Sequence, residues 1–292
     1  MAAVAALADL KRERPEWGPW LAVVEEALSD ADAPIWDAAV PVDLRAPQVN
    51  APVLAGTTAA VESRTVRRLL QRLIGVASRS GTPEMATLKS VRDADLDPLA
   101  LFRASLCQDR RPTGEAAASC GADAGALEAV IALLCLPFLR ACHRRWAPSV
   151  PAGWREGYCP LCAAWPAFAE TRGIERTRFF RCGRCGGEWH ARPLHCAYCG
   201  VDDHHALVSL VPQEQGMNAV IEGCRRCQGY VKTFTRLQGC SPGTVMLDDL
   251  ASVALDVAAL EQGFNRPHGP GYPLDVTVTG RNSARRFLAW NA

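Results

Sequence analysis

Eight cysteines between positions 159 and 227 constrain the fold of this 292-residue chain more than any other feature. They form four Cys-x-x-Cys pairs: Cys159 and Cys162, Cys182 and Cys185, Cys196 and Cys199, Cys224 and Cys227. Two intervening residues let the backbone turn so that both sulfurs reach one ion, and a tetrahedral site needs two such pairs. Four pairs in one segment therefore predict two closed four-thiolate metal sites, and an incidental set of dithiols or redox pairs explains them less well.

Two pairings of these knuckles satisfy the spacing. Sequential pairing builds one site from Cys159, Cys162, Cys182 and Cys185, and another from Cys196, Cys199, Cys224 and Cys227. An interleaved arrangement joins the first pair with the third and the second with the fourth. We favour sequential pairing because elements adjacent in sequence are usually neighbours in space.

Spacing does not choose between zinc and iron, since four thiolates fit both metals. In either case the protein supplies all four ligands, which leaves no position for water or substrate. A closed site of this kind indicates a structural role and argues against hydrolytic catalysis.

Other cysteines and histidines are weaker candidates for ligands. Five further cysteines lack the paired spacing: Cys107, Cys120, Cys135, Cys142 and Cys240. Four histidines lie near the pairs, at His190, His195, His204 and His205. With two full thiolate sets present, we expect these histidines on the surface or around the ligands; His204 and His205 as an extra metal-binding pair is the alternative.

The first 150 residues read as helices separated by Pro, Gly and Ser. Apolar spacing predicts a helix on a segment that begins near Thr58, and another from about Ala126 to Arg145 as the centre of a bundle. The stretch from Gly114 to Gly125 is expected to be a loop. A final helix is expected with Asp248 as its cap, Leu250, Val253, Ala254, Val257 and Leu260 as its buried face, and Gly263 as its stop.

The resulting architecture is α+β. We predict a helical domain at 1–150, a first four-cysteine module at 151–194, a second at 195–240, and a carboxy-terminal helix and tail at 241–292. The boundary after the helical domain falls at Pro148–Pro151, where helical periodicity ends.

Charge and composition limit the partners and the compartment. Lys and Arg number 32 against 31 acidic residues, so global charge gives no reason to expect nucleic acid. The longest apolar run, Ala129 to Leu139, is shorter than the roughly 18 residues of a membrane span.

The chain has 13 cysteines, and its first charges follow an apolar stretch rather than precede it as in a secretory signal. We therefore expect a reducing, cytoplasmic location.

Two local sets have competing interpretations. Arginines concentrate in the first module, at Arg172, Arg176, Arg178, Arg181, Arg184 and Arg192. They favour a solvated hairpin face, with an acidic partner or nucleic acid as the alternative. The tryptophans at Trp154, Trp165 and Trp189 are typical of packing over the metal site, with a binding platform as the alternative.

The residues around the cysteines resemble the FdhE family of formate dehydrogenase accessory proteins. The resemblance rests on Gly157–Cys162, Phe180–Cys185, the run Glu188-Trp189-His190-Ala191-Arg192, Cys196–Cys199, Cys224–Cys227 and the run Gly229-Tyr230-Val231-Lys232, and it continues through Asp248–Ser252 and Leu260–Phe264. It covers roughly the second half of the chain. Ala163 and Ala164 depart from it, because a glycine and a small polar residue are common there.

The resemblance implies a helical domain followed by two rubredoxin-like modules and a role in enzyme maturation. As a chaperone of this kind, the protein would bind the molybdenum- or tungsten-containing catalytic subunit of formate dehydrogenase without being an enzyme itself, so no catalytic residue is expected. The eight thiolates would hold two metal ions, with rubredoxin-type iron favoured and zinc possible. Trp189, His190, Arg192, Tyr230 and Lys232 match family signatures and are candidate partner contacts.

Two other functions stay open from the sequence. The first is a zinc-ribbon protein that binds nucleic acid, against which the near-neutral charge counts. The second is an iron tetrathiolate redox protein, although no substrate pocket or nucleophile motif accompanies the cysteines.

Overall fold

Helices make up most of the amino-terminal half of the chain. The computed structural model describes residues 2–42, 50–79, 82–92, 94–211 and 218–281. The helices are α1 (Ala2–Glu13), α2 (Gly18–Ser29), α3 (Pro34–Asp37), α4 (Ser63–Ala77), α5 (Pro83–Ala86), α6 (Lys89–Arg92), α7 (Pro98–Cys107), α8 (Arg110–Cys120), α9 (Ala124–Leu134) and α10 (Leu136–Trp146). Short 3-10 turns follow α1 and α10, at Pro15–Trp17 and Ala147–Ser149.

Aspartate side chains begin three of these helices. Asp97, Asp109 and Asp123 each accept a hydrogen bond from a backbone N–H in the first turn of α7, α8 and α9. Such a cap stabilises a helix by about 1 kcal/mol because it satisfies an otherwise unpaired donor.

The loop expected from Gly114 to Gly125 is wrong over most of its length. The structure places α8 there, because Asp109 caps the helix and Gly121, in the left-handed region with φ +63°, ends it. Gly114 lies within the helix, where its cost is outweighed by the cap and by packing against α7 and α9.

The apolar core segment expected as one helix consists of α9 and α10, which meet at Cys135. Pro137 is the second residue of α10, and a proline lacks the N–H that would continue the hydrogen bonds of α9. The combined stretch 124–149 is long and apolar enough to cross a membrane by length and composition, but 78% of its apolar window is buried inside the protein. It packs as a core element.

A six-stranded sheet follows the helical region. Its strands are β2 (Phe168–Arg172), β3 (Thr177–Arg181), β4 (Glu188–His190), β5 (Leu207–Leu210), β6 (Ala219–Cys224) and β7 (Tyr230–Arg236), and their order in the sheet is β4-β3-β2-β7-β6-β5. The central pair β2 and β7 is parallel, with Phe168 opposite Lys232, and the other pairs are antiparallel. One sheet thus runs through both four-cysteine modules. The mixed α+β class is confirmed, while the four domain boundaries stay a prediction.

The final helix is divided in two by Ser252. Helix α11 (Val245–Ala251) and helix α12 (Val253–Glu261) flank this residue, whose hydroxyl donates to the carbonyl oxygen of Asp248 at 2.9 Å. Asp248 lies within α11 rather than capping a helix, so that expectation is wrong. Val257 and Leu260, expected to be buried, are half exposed, and Leu255 and Ala259 form the buried face.

The segment after α12 returns to the helical region. Strand β8 (Thr277–Gly280) pairs in parallel with β1 (Thr58–Val61), which occupies the start of the segment expected to be helical from Thr58. The carboxy-terminal segment therefore packs against the amino-terminal half.

Candidate metal centres

The first candidate metal centre lies between the helical region and the sheet. It contains the thiols of Cys159, Cys162, Cys182 and Cys185, which are all buried and lie within 4.8 Å of one another. The sulfurs of Cys159 and Cys185 are 3.6 Å apart, and those of Cys162 and Cys182 are 3.5 Å apart.

The second candidate metal centre lies nearer the surface. Cys196, Cys199, Cys224 and Cys227 form it, with sulfur distances of 3.6 Å between Cys196 and Cys227 and 3.7 Å between Cys199 and Cys224. Cys196 and Cys224 are buried, whereas Cys199 and Cys227 are exposed. The structure thus groups the thiols as sequential pairing predicts.

The sulfur distances fit a tetrahedral metal ion. Four sulfurs at about 2.3 Å from a common centre lie about 3.8 Å from one another, close to the distances observed here. The same distances exclude disulfides, whose sulfurs are about 2.05 Å apart. Backbone N–H groups also point at sulfur, from Cys185 to Cys182 and from Gly187 to Cys185, both at 3.4 Å. Each set of residues could therefore hold one metal ion.

Each Cys-x-x-Cys knuckle turns at the residue that follows its second cysteine. This residue has a positive φ in all four knuckles: Ala163 (64°), Gly186 (81°), Gly200 (72°) and Gln228 (56°). In three of them its N–H donates to the carbonyl oxygen of the first cysteine. The turn folds the chain back so that both sulfurs face one point.

Protonation of the thiols differs within each centre. Burial raises the pKa of Cys159 well above its ordinary value, and it raises that of Cys196 to about 11. Hydrogen bonds from the other three thiols of its centre hold the pKa of Cys182 well below the ordinary value. Metal binding must displace the remaining protons, which makes it pH-dependent.

Sequence comparisons agree with this geometry. Residues 194–271 match the sequence model of a family described as "FdhE, C-terminal domain". The chain is 32% identical over 114 residues to the protein FdhE homolog of Aquifex aeolicus, and 35% identical over 114 residues to that of Pseudomonas aeruginosa. Residues 194–271 are thus similar to the carboxy-terminal domain of the FdhE family.

These matches cover only part of each protein. They span 38% and 37% of this chain, and 40% and 37% of the two relatives. A match to the FdhE homolog of Pseudomonas putida is 31% identical over 166 residues and covers 49% of each chain. The curated relatives are thus matched over half of their length or less.

A solved structure extends the likeness to the whole fold. The crystal structure of the FdhE protein from Pseudomonas aeruginosa superposes with a TM-score of 0.57, covering 93% of this chain and 94% of that one. At 21% identity this likeness shows a shared fold and nothing further.

Cationic side chains approach the first centre. Burial lowers the pKa of the Arg140 guanidinium, and the nearby charges of Cys185 and Cys182 oppose this effect without outweighing it. Arg184, in the second knuckle, donates to the carbonyl oxygen of Ser105 at 2.6 Å and to the sulfur of Cys135 at 2.9 Å. Positive charge close to a buried tetrathiolate offsets the cost of burying its negative charge.

Most arginines of the first module are engaged inside the protein. Arg172 and Arg181 both donate to Glu170, at 2.9 and 3.1 Å, and Glu170 is fully buried. Arg178 pairs with Glu222 on β6. Burial opposes the ionisation of Glu170, but hydrogen bonds from Cys240 and Arg172 outweigh it and hold its pKa below the ordinary value. These arginines form neither a solvated face nor a surface for nucleic acid.

A second ionic cluster was not apparent from the sequence. The Lys232 ammonium, which is fully buried, contacts Asp249 at 2.7 Å and Asp256 at 2.8 Å. Arg266 contacts the same two carboxylates, and the Tyr230 hydroxyl donates to Asp256 at 2.6 Å. The cluster attaches α11 and α12 to strand β7.

Burial narrows the set of candidate partner contacts. Trp189 is 4% exposed, Tyr230 is 2% and Lys232 is 0%, so these side chains contact the protein itself. His190 and Arg192 are exposed and stay candidate contacts. Membership in a matched run therefore does not distinguish buried side chains from exposed ones.

The tryptophans pack around the first module rather than forming a platform. The indole N–H of Trp154 donates to the carbonyl oxygen of Tyr158 at 2.9 Å, and that of Trp189 donates to Glu156 at 3.1 Å. Trp165 contacts Tyr198, with ring centres 5.1 Å apart, and so bridges the two modules.

The histidines lie outside both thiol sets. His204 and His205 form an exposed group with Asp203. Burial lowers the pKa of His195, with the charge of Arg192 adding to the effect, and burial likewise lowers that of His143 on α10.

Proposed function

We propose that this protein is an accessory factor for the formation of active formate dehydrogenase, and that it binds the molybdenum- or tungsten-containing catalytic subunit. Similarity of the second half of the chain to the FdhE family supports the accessory role. One structural observation carries the proposed mode of action: both thiol sets are closed, and the sheet that joins them is continuous. Closed sites hold a surface in shape and offer no position for substrate.

We further propose that the eight cysteines bind two metal ions, with iron favoured and zinc the alternative, and that the protein works in the cytoplasm. The thiol geometry supports the ions, and a reducing compartment would keep the thiols available. In this proposal the protein performs no catalysis. Its ions support the arrangement of β2 and β7 that joins the two modules.

Affinity capture tests the role and the metal together. Tagged protein prepared without oxygen is expected to retain the catalytic subunit and two metal ions per chain. Cys159→Ser and Cys196→Ser are expected to lose an ion and to lose capture, whereas Cys120→Ser, which changes a cysteine outside both centres, retains both.

The readouts are metal analysis, visible absorption and the amount of captured subunit. A colourless protein that holds zinc would contradict both iron and a redox role. Full capture by protein stripped of both ions would contradict the idea that the ions hold the binding surface in shape.

A further inference from the structure

A pocket of about 340 Å³ opens beside the first metal centre. Helix α10 and the segment after it form one wall, and strand β4 forms the opposite wall. Of the four cysteines of the centre, each at most 1% exposed, Cys159 lines this pocket. An ion must reach these buried sulfurs by some path, and the pocket leads to one of them.

Two histidines, whose nitrogens can ligate a metal ion, line the same pocket together with Glu188, whose carboxylate pairs with Arg172 and Arg181. His190 and Glu188 lie at its exposed side, on β4, and His143 lies deeper, on α10. They do not form a closed set: in the described part of the chain, the closed donor groups are the two cysteine sets and Asp203–His205. Because these donors lie apart along the wall, they suit an ion that moves past them rather than an ion bound at a fixed site.

Gly187 leaves a gap between the innermost of these donors and the centre. A Cβ atom at this position would lie 3.2 Å from the Cys185 sulfur and 3.2 Å from Cδ2 of His143. The absent side chain thus leaves the imidazole and a ligand sulfur facing each other across one small space.

We propose that a thiol-seeking divalent metal ion reaches the first centre through this pocket, with His143 as the last donor before the thiolates. The proposal rests on the proposed metal binding by the eight cysteines. Each thiol that takes up the ion releases its proton to water in the pocket, so charge balances without a redox step. The run Glu188-Trp189-His190 then has a role: its outer side chains line the route and its tryptophan supports the wall.

Metal exchange in the full, cobalt-loaded chain tests the route, because an ion leaves by the path through which it enters. Zinc added to this protein displaces cobalt, because four thiolates bind zinc more tightly, and the visible cobalt–thiolate absorption disappears. We expect a fast phase from the exposed second centre and a slow phase from the buried first centre. Gly187→Ala keeps the N–H that contacts Cys185 but fills the gap, and should slow the slow phase roughly tenfold while leaving the fast phase unchanged.

Gly183→Ala is the matched control in the same knuckle. Its new Cβ would lie 3.2 Å from Cβ of Ala167, a similar crowding away from the pocket, and neither phase should change. His143→Ala should also slow the slow phase, and His143→Gln, which keeps the volume and one donor, should slow it less.

The outcomes separate this inference from the proposed function. Unchanged exchange in both Gly187→Ala and His143→Ala, or equal slowing in Gly183→Ala, overturns the route. A wild-type chain that holds no ion at Cys159, Cys162, Cys182 and Cys185 overturns the metal site itself. Melting temperatures of the variants identify any in which misfolding, rather than a blocked route, slows exchange or releases metal. If Gly187→Ala or His143→Ala misfolds, the exchange rate of His143→Gln decides the test.

Discussion

Two knuckle residues adopt a backbone conformation that glycine would adopt with less strain. Ala163 and Gln228 have φ values of 64° and 56°, whereas Gly186 and Gly200 occupy the same position in the other knuckles. A side chain in this region costs about 1 kcal/mol or more because Cβ crowds the neighbouring carbonyl oxygen. The strain persists because this turn directs both sulfurs of the knuckle, which precede it in sequence, at one point.

Gln228→Gly is therefore expected to stabilise the Cys224–Cys227 knuckle of the second metal centre. We expect the free energy of unfolding to rise by about 0.5 to 1 kcal/mol, since relief of strain exceeds the added entropy of glycine in the unfolded chain. Urea unfolding of the metal-loaded protein measures it. Gly200→Ala is the matched reverse change, because the nearest atom to its Cβ, in His195, is 3.8 Å away. If both changes had the same sign, strain at this position would not be the cause.

Buried charged side chains join elements in this protein in addition to apolar contacts. Lys232 projects from β7 to the carboxylates of Asp249 on α11 and Asp256 on α12, and Arg266 completes the group. Removal of one partner from such a cluster leaves charge buried without compensation. Lys232 and Arg266 therefore help to hold the two carboxy-terminal helices on the sheet.

Lys232→Met is expected to lower the free energy of unfolding at neutral pH by about 3 kcal/mol. Burial opposes the ionisation of Asp249, but the charges of Arg266 and Lys232 outweigh it and hold its pKa below the ordinary value. Its contribution is thus complete above an unfolded pKa of about 3.9 and is lost as the pH falls through the lower folded value.

The deficit of the variant should accordingly shrink as the pH falls below about 4, which urea unfolding across this range measures. Lys11→Met removes an exposed pair with Glu25 and should cost less than about 1 kcal/mol. A deficit that does not change with pH would mean that lost packing, rather than charge, accounts for it.

Sequence reasoning succeeded where spacing itself determines geometry. Two residues between cysteines fix a knuckle, but the spacing left two groupings open, and sequential grouping was favoured because sequence neighbours are usually close in space. It failed at α8, where the Asp109 cap outweighs the glycine, and at β1, whose partner β8 lies more than 200 residues along the chain. The cluster around Lys232 could not be predicted, because its charges resemble solvated residues until α11 and α12 fold over them.

At the scale of the whole molecule, the two centres differ in what protects them. The first is enclosed between the helical region and the sheet, with all four cysteines buried. The second has Cys199 and Cys227 exposed and lies in the hairpins of β5, β6 and β7. Exposure of the second centre requires little rearrangement, whereas exposure of the first requires helix and sheet to separate.

The two ions should therefore leave separately. A chelator is expected to remove one ion per chain rapidly and the other at least about tenfold more slowly, since the ion of the first centre is enclosed by four buried cysteines. Alkylation followed by mass spectrometry should label Cys199 and Cys227 while Cys159, Cys162, Cys182 and Cys185 stay protected. Cys142, buried outside both centres, reports global unfolding. If both ions left at one rate while Cys142 stayed protected, the sheet shared by the modules would couple the centres, and loss of either ion would open the surface that spans them.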